Sequence, residues 1–297
     1  MDEVKSTERI LGADGVRILG YTRTMVEGFE RAHTIYRYMP PEDFRSLINS
    51  DWKSGQKVYW EEMLGRAHFA AVASMIRALR WLSGMCTAHS SALFLPFCAS
   101  FRALIESVAD AYDSLSNVAI SLAEYHGRVN ALLQLKEGPG VLAQELEDQL
   151  IHFSHARKLS KGEVAPTSHS AKPAAEYVRS LEKADLPRLY ECYQQLCQYT
   201  HPAAHSVGHL LVSVPPGPGD LFLLTPSTDR KCIEVLVDEY QSLILPLLMV
   251  AFNPGALVLK VLLYFEVPQF HSEGIRGFDL RGIPGWIKCA QKMGVPL

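Results

Sequence analysis

Apolar residues recur at intervals of three and four positions over most of the chain, which is the pattern of helices that bury one face. The clearest run begins at Tyr59, and a second long helix is predicted from about Ser91 to Leu122. Other helices are predicted over residues 21–38, 122–136, 141–157, 174–199 (with a break near Leu186-Pro187) and 228–265. The pattern therefore predicts an all-α fold, an antiparallel helical bundle.

One segment has the pattern of two β-strands joined by a turn instead of a helical pattern. The apolar runs Leu210–Val214 and Leu221–Leu224 flank a turn rich in proline and glycine, so a small β-hairpin is predicted there. Polar residues predict a loop with one helical turn over 40–57 and a loop over 158–173. The tail, residues 266–297, is rich in glycine and proline and is expected to hold a short helix near Trp286–Met293.

The order of these elements predicts three parts along the chain. Residues 1–57 form an N-terminal helical extension, and residues 58–210 form the core helical bundle, which includes the polar loop 158–173. Residues 211–297 hold the β-hairpin, the C-terminal helices and the tail rich in glycine and proline.

Residues 243–265 form an apolar stretch about as long as a bilayer is thick. Three features argue against a membrane span. Pro246 interrupts the first half, residues 253–255 (Asn-Pro-Gly) are a turn signal, and Lys260 would cost roughly 2.5 kcal/mol or more inside the bilayer. Two core helices joined by a turn are therefore expected, with no membrane partner.

Composition narrows the class of protein. The chain has 297 residues, of which 48% are hydrophobic and 21% charged, and this composition excludes an intrinsically disordered protein. Its net charge of −3 disfavours a basic protein that coats nucleic acid. The polar N-terminus lacks the apolar stretch of a signal peptide. Six cysteines without a CxxC motif indicate reduced thiols, so a cytoplasmic location is expected.

Two groups of polar residues are candidates for chemistry, and the first is on the second long helix. Arg102 and Glu106 are four positions apart, which places both side chains on one face of that helix. Such a pair forms either the wall of a site or an intrahelical ion pair worth about 0.3–0.5 kcal/mol.

The second group is a run of histidines, His201, His205 and His209, which recur every four residues. On a continuous helix they would face one way and bind a metal ion together with a carboxylate such as Glu106. However, Pro202 disfavours helical angles at His201, so His201 is expected to end the preceding helix. A helix corner with hydrogen-bonded histidines is therefore expected, and a metal ion at His201 and His205 is the alternative. No cofactor is expected.

Two stretches carry a resemblance to a known group. The Arg-x-x-x-Glu pattern of residues 101–106 and the His-Pro corner that closes residues 193–202 resemble a group of uncharacterised bacterial helical proteins. That group is similar in outline to the HEPN superfamily, and the resemblance covers about residues 60–210. It implies a homodimer of a stress or phage-defence system that binds or cleaves RNA, with Arg102, Glu106 and His201 close together.

The resemblance also implies roles for these residues. His201 would act as general base or acid, Arg102 would stabilise developing charge, and Glu106 would orient one of them, with His205 as a further candidate. The HEPN nuclease motif, an arginine followed after four to six residues by a histidine, does not occur in this chain. Whether the protein is an enzyme therefore stays open.

Two other functions are compatible with the sequence. A non-enzymatic interaction or ligand-binding helical module would show an apolar pocket, and its Arg102–Glu106 pair would hold helices together. A metal-binding helical bundle would bring His201, His205 and a carboxylate to one ion.

Overall fold

The computed structural model describes residues 3–184, 186–202, 204–217 and 219–297, and it confirms the all-α class with one small hairpin. The helices are α1 (Glu3–Ala32), α2 (Pro41–Ser50), α3 (Trp52–Ser90), α4 (Phe94–Leu115), α5 (Val118–Leu133), α6 (Gln144–His155), α7 (Ala174–Lys183), α8 (Leu189–Thr200), α9 (Ala204–Gly208), α10 (Asp229–Leu262), α11 (Glu273–Arg276) and α12 (Pro284–Met293). The strands β1 (Leu211–Gly217) and β2 (Gly219–Leu224) pair antiparallel.

Contacts between residues divide the chain into two compact units. The first unit holds Met1–Tyr21, Ile76–Asp110 and Pro173–Val250, and the second holds Thr22–Met75, Ala111–Lys172 and Ala251–Leu297. Each unit is thus assembled from three separate stretches of chain. The predicted three-part division follows order along the chain rather than spatial contact, and it stays a prediction.

The core of the first unit is built from aromatic and aliphatic side chains at helical spacing. Phe97 and Phe101 of α4 are 0% and 1% exposed, and Leu82 of α3 is fully buried. Ile233 and Val237 of α10 are buried at the same four-residue interval. The periodic apolar pattern therefore identifies the buried faces of these helices.

The core of the second unit is organised around Trp60 of α3, which is fully buried. Its indole Nε1 donates to the carbonyl oxygen of Val141 at 3.0 Å, and the amide of Val141 donates to Gln56 Oε1 at 2.9 Å. Gly140 lies against the ring of Trp52, where a Cβ atom would collide with the indole. The loop between α5 and α6 is thereby fixed onto α3.

The predicted turn at residues 253–255 is wrong, because α10 runs without interruption from Asp229 to Leu262. Leu259 and Leu262, beyond Pro254, are fully buried. A Cβ atom at Gly255 would lie only 3.1 Å from the carbonyl oxygen of Ala71, so a glycine allows the close approach of the two backbones. Packing of this helix outweighs the hydrogen bond that a proline removes.

Among the described residues, α10 is a helix long and apolar enough to cross a membrane, and 61% of its most apolar window is buried within the protein. Lys260, near its end, donates to the carbonyl oxygens of Arg276 and Phe278 at 2.9 and 3.1 Å. Burial lowers the pKa of this lysine. The expected lack of a membrane partner and the cytoplasmic location stay predictions.

Three other boundaries differ from those predicted. The helix predicted over 21–38 begins at Glu3 and continues across a non-helical Gly12, with φ 66° and ψ 175°. The predicted loop 40–57 contains α2 and the start of α3; α2 has no buried residue, so no apolar stripe marked it. The helix predicted to reach Leu122 ends at Leu115, and α5 begins after Asn117.

Candidate functional site

The first candidate pair, Arg102 and Glu106, forms a contact between two helices of the first unit. Arg102 Nη1 donates to Thr200 Oγ1 at 2.6 Å, and its Nε lies 3.5 Å from Glu106 Oε1. The two side chains are 27% and 31% exposed. Arg102 therefore ties α4 to the C-terminal end of α8.

Tyr193 of α8 is the second link between these helices. Burial is the main cause that raises its pKa, and hydrogen bonds to Cys197 and Glu106 raise it further. The Tyr193 hydroxyl therefore stays protonated at neutral pH and can donate to the carboxylate of Glu106. Arg102 and Glu106 thus both hold α4 against α8.

The histidine run does not form one face. His201 ends α8 in an extended conformation, with φ −87° and ψ 148°, as the proline after it predicts. It is exposed and lines a shallow pocket with Pro96, Thr200 and Pro202. His205, which is also exposed, lines a different pocket. In the part of the chain that the structure describes, no three histidine, cysteine or acidic side chains are placed to hold a metal ion.

The pocket of His205 is the larger of the two and lies wholly within the first unit. Its volume is about 710 Å³, within the range of about 300–1,000 Å³ typical of small-molecule sites. We call it the hairpin pocket, because β1 forms one wall and α8, α9 and α10 form others. Its lining residues are Phe94, Gln195, Tyr199, Ala204, His205, Gly208, His209, Leu211, Val212, Ser213, Thr228, Lys231, Cys232, Val235 and Leu236.

Local sequence explains how the backbone reaches this pocket. Pro202 ends α8, the short α9 follows, and β1 begins three residues after Gly208. Leu210 accepts a hydrogen bond from the amide of Thr225, and Thr228 Oγ1 donates to the carbonyl oxygen of His209 at 2.8 Å. The residues just before β1 are thereby joined to the residues just after β2, next to the N-terminus of α10.

His209 is an enclosed polar side chain of the pocket, with 7% of its side chain exposed. Its Nε2 lies 3.6 Å from Asp229 Oδ1, and its ring packs against Phe94 with centroids 4.8 Å apart. Asp229 is fixed in turn, since its Oδ2 accepts the amide of Phe94 at 3.0 Å. Among the described residues, His209 Nδ1 has no hydrogen-bond partner.

This arrangement favours one tautomer of His209. A carboxylate near Nε2 favours a proton on that nitrogen, which leaves Nδ1 as a hydrogen-bond acceptor. The unpaired acceptor belongs to a side chain that lines the pocket. A buried acceptor without a partner is unfavourable by about 1–3 kcal/mol, so a bound molecule with a hydroxyl or N–H group would relieve this cost.

The hairpin pocket also holds a thiol and an ammonium group, which differ in charge. Burial raises the pKa of the Cys232 thiol, and the carboxylate of Asp229 raises it further, so the thiol is neutral at pH 7. Lys231 adds an ammonium group to the same wall. Apolar surface of the pocket is supplied by Phe94, Leu236 and the side chains of β1. The pocket therefore combines an apolar interior with a small number of polar groups, the usual composition of a ligand site.

Sequence reasoning found His205 and His209 but not their partners in the pocket. Phe94 and Cys232 of the pocket, and Asp229 beside His209, carry no local motif, and the sequence pattern predicts the hairpin but not its position beside a pocket. No protein-family model, curated protein or solved structure matches this chain. The HEPN-like resemblance therefore stays a prediction.

Proposed function

We propose that the protein is a ligand-binding helical module whose hairpin pocket holds a small, mostly apolar molecule with a hydroxyl or N–H group. One observation carries the proposal: the pocket of about 710 Å³ is lined by His209, whose Nδ1 is buried and unpaired among the described residues. The Arg102–Glu106 pair supports it, because both side chains engage in contacts between α4 and α8.

The proposal predicts saturable binding of N-phenyl-1-naphthylamine, an uncharged apolar fluorophore with one N–H donor. Its fluorescence is expected to rise on transfer from water into the pocket. Val212→Trp, which fills the pocket with an indole, is expected to weaken binding at least about ten-fold, equivalent to about 1.4 kcal/mol. His209→Leu removes the acceptor and is expected to weaken binding by about the same factor. Fluorescence titration gives both values.

Val214→Trp is the matched control for the pocket. Val214 and Val212 are two positions apart on β1 and are 41% and 42% exposed, but only Val212 lines the pocket. The control is expected to bind the fluorophore within about two-fold of the unmodified chain. Equal weakening by both tryptophan variants, or no saturable binding at all, would contradict the proposed site.

RNA binding, which the HEPN-like resemblance implies, is the second candidate function. It is favoured by the hydrogen bond from Arg102 to Thr200, which holds a guanidinium beside the residue that precedes the exposed His201. A phosphate at this surface would meet a cation and an imidazole. The metal-binding alternative has no comparable observation in its favour.

This candidate predicts that Arg102→Ala and His201→Ala each lower RNA binding or cleavage at least about ten-fold. His205→Ala is the control, because His205 lines the hairpin pocket rather than the pocket of His201. A gel-shift and degradation assay on structured and single-stranded RNA measures both effects. Full activity in the Arg102 and His201 variants would exclude these residues as the RNA site, and a lack of RNA binding and cleavage by the unmodified chain would exclude RNA.

A further inference from the structure

The lining of the hairpin pocket differs in charge from the chain as a whole. The chain has a net charge of −3, whereas the described residues that line the pocket include no aspartate or glutamate. The basic side chains of the lining are Lys231, His205 and His209. A purely apolar ligand would leave an ammonium group in the wall without a partner, so the charge of the lining bears on the class of ligand.

Lys231 lies on the face of α10 that forms a wall of the pocket. Lys231 and Val235 are four positions apart, as are Cys232 and Leu236, and all four line the pocket because such positions share one face of a helix. Lys231 is exposed, and in the part of the chain that the structure describes no acidic side chain forms a salt bridge with it. Its ammonium group is therefore open to a ligand.

Asp229, the first residue of α10, is an acidic neighbour of Lys231 along the chain, but its carboxylate is engaged elsewhere. Its Oδ2 accepts the amide of Phe94 at 3.0 Å, and its Oδ1 lies 3.6 Å from Nε2 of His209. Two positions on a helix are about 200° apart around its axis, so Asp229 and Lys231 point in different directions. Asp229 accordingly is not one of the residues that line the pocket.

A second donor group lies on the α8 wall of the pocket. Gln195 lines the pocket, and its Oε1 accepts a hydrogen bond from the hydroxyl of Tyr240. Because the carbonyl oxygen of this side chain is used, the NH₂ group is the part that remains to bind a ligand, and it can only donate. The walls formed by α8 and α10 thus both offer hydrogen-bond donors.

We propose that the ligand of the hairpin pocket is a small amphipathic acid, whose anionic group pairs with Lys231 and whose hydroxyl or N–H group donates to His209. This inference rests on the proposed function, because it assigns the charge of the ligand that the pocket holds. The apolar body of the acid packs against Phe94 and Leu236, which line the same pocket. An anion at Lys231 accepts charge-assisted hydrogen bonds, which are stronger than those between neutral groups.

The test is displacement of N-phenyl-1-naphthylamine by two compounds that differ in charge, 8-hydroxyoctanoate and 1,8-octanediol. They share the length of the aliphatic chain and one hydroxyl end, and the other end is a carboxylate or a second hydroxyl. On the unmodified chain, the acid is expected to displace the fluorophore at a concentration at least about five-fold lower than the diol. This preference should shrink between about 20 mM and about 500 mM NaCl, because salt screens an exposed ion pair.

Two variants with the same net charge locate the effect. Lys231→Gln removes the ammonium group from the wall, and the two compounds should then displace the fluorophore at concentrations within about two-fold of each other. Lys183→Gln is the matched control, because Lys183 at the end of α7 is also exposed but does not line the pocket. This control should keep the preference for the acid. Circular dichroism shows whether each variant folds.

The outcomes separate this inference from the proposed function. Equal displacement by the two compounds on the unmodified chain, or a preference for the acid that survives Lys231→Gln, would overturn the inference and leave the pocket as a site for a neutral ligand. Saturable binding of the fluorophore that neither compound displaces would overturn the inference too. A lack of saturable fluorophore binding would refute the proposed function itself, and the inference with it.

Discussion

Replacing Trp60 with alanine is expected to lower the free energy of unfolding by about 3–5 kcal/mol. The indole is fully buried in the second unit, and its ring centroid lies 5.5 Å from that of Tyr125. The substitution leaves a cavity and also deprives the carbonyl oxygen of Val141 of its 3.0 Å hydrogen bond. Urea unfolding followed by circular dichroism measures the change.

Trp81→Ala provides the comparison on the same helix. Trp81 also belongs to α3, but it is 42% exposed. Its replacement is expected to lower the free energy of unfolding by less than about 1 kcal/mol, because this side chain buries less apolar surface than Trp60 does. Similar losses for the two tryptophans would show that Trp60 does not organise the core of the second unit.

Stability is expected to fall by about 2 kcal/mol between pH 7.5 and pH 5 because of one buried histidine. His68 is 3% exposed, and burial lowers its pKa to about 4. The Tyr36 hydroxyl lies 2.7 Å from its Nδ1 and can donate to this nitrogen when the nitrogen carries no proton. A folded-state pKa below the unfolded value of about 6.5 gives stability that is present above pH 6.5. That stability is lost as the pH falls toward 4.

The measurement is urea unfolding at the two pH values for three proteins: the unmodified chain, His68→Leu and His33→Gln. Between pH 7.5 and pH 5 the free energy of unfolding of the His68 variant should fall by about 2 kcal/mol less than that of the unmodified chain, whatever the stability of the variant at pH 7.5. His33 is exposed, so its replacement should leave the pH dependence unchanged. Parallel pH profiles for the unmodified chain and the His68 variant would refute the assignment.

Some helices could be predicted from sequence and others could not, for a physical reason. Helix α3 buries Met63, Ala67 and Met75 along one stripe, and such a stripe is visible in the sequence. Helix α2 buries nothing and left no such pattern. In α10, residues 253–255 favour a turn locally, but the burial of Leu259 and Leu262 outweighs this preference and the helix continues.

The candidate site shows the same limit. The extended conformation of His201 follows from its neighbour Pro202, a purely local effect that sequence reveals. The hairpin pocket depends on Phe94, His209 and Asp229, which come from three distant parts of the chain. Their meeting is a consequence of tertiary packing, and no spacing along the chain encodes it.

The discontinuous construction of the two units has a consequence for synthesis in the cell. At about 5–20 residues per second, a ribosome takes roughly 15–60 s to make a chain of 297 residues. The first unit needs residues up to Val250, and the second needs the stretch that ends at Leu297. Neither unit can therefore close until most of these 297 residues have been made. On α3, Met75 lies beside Gly255 of α10, so this apolar side chain stays without that partner until Gly255 has been made. The nascent chain is therefore expected to depend on chaperones that shield exposed apolar side chains.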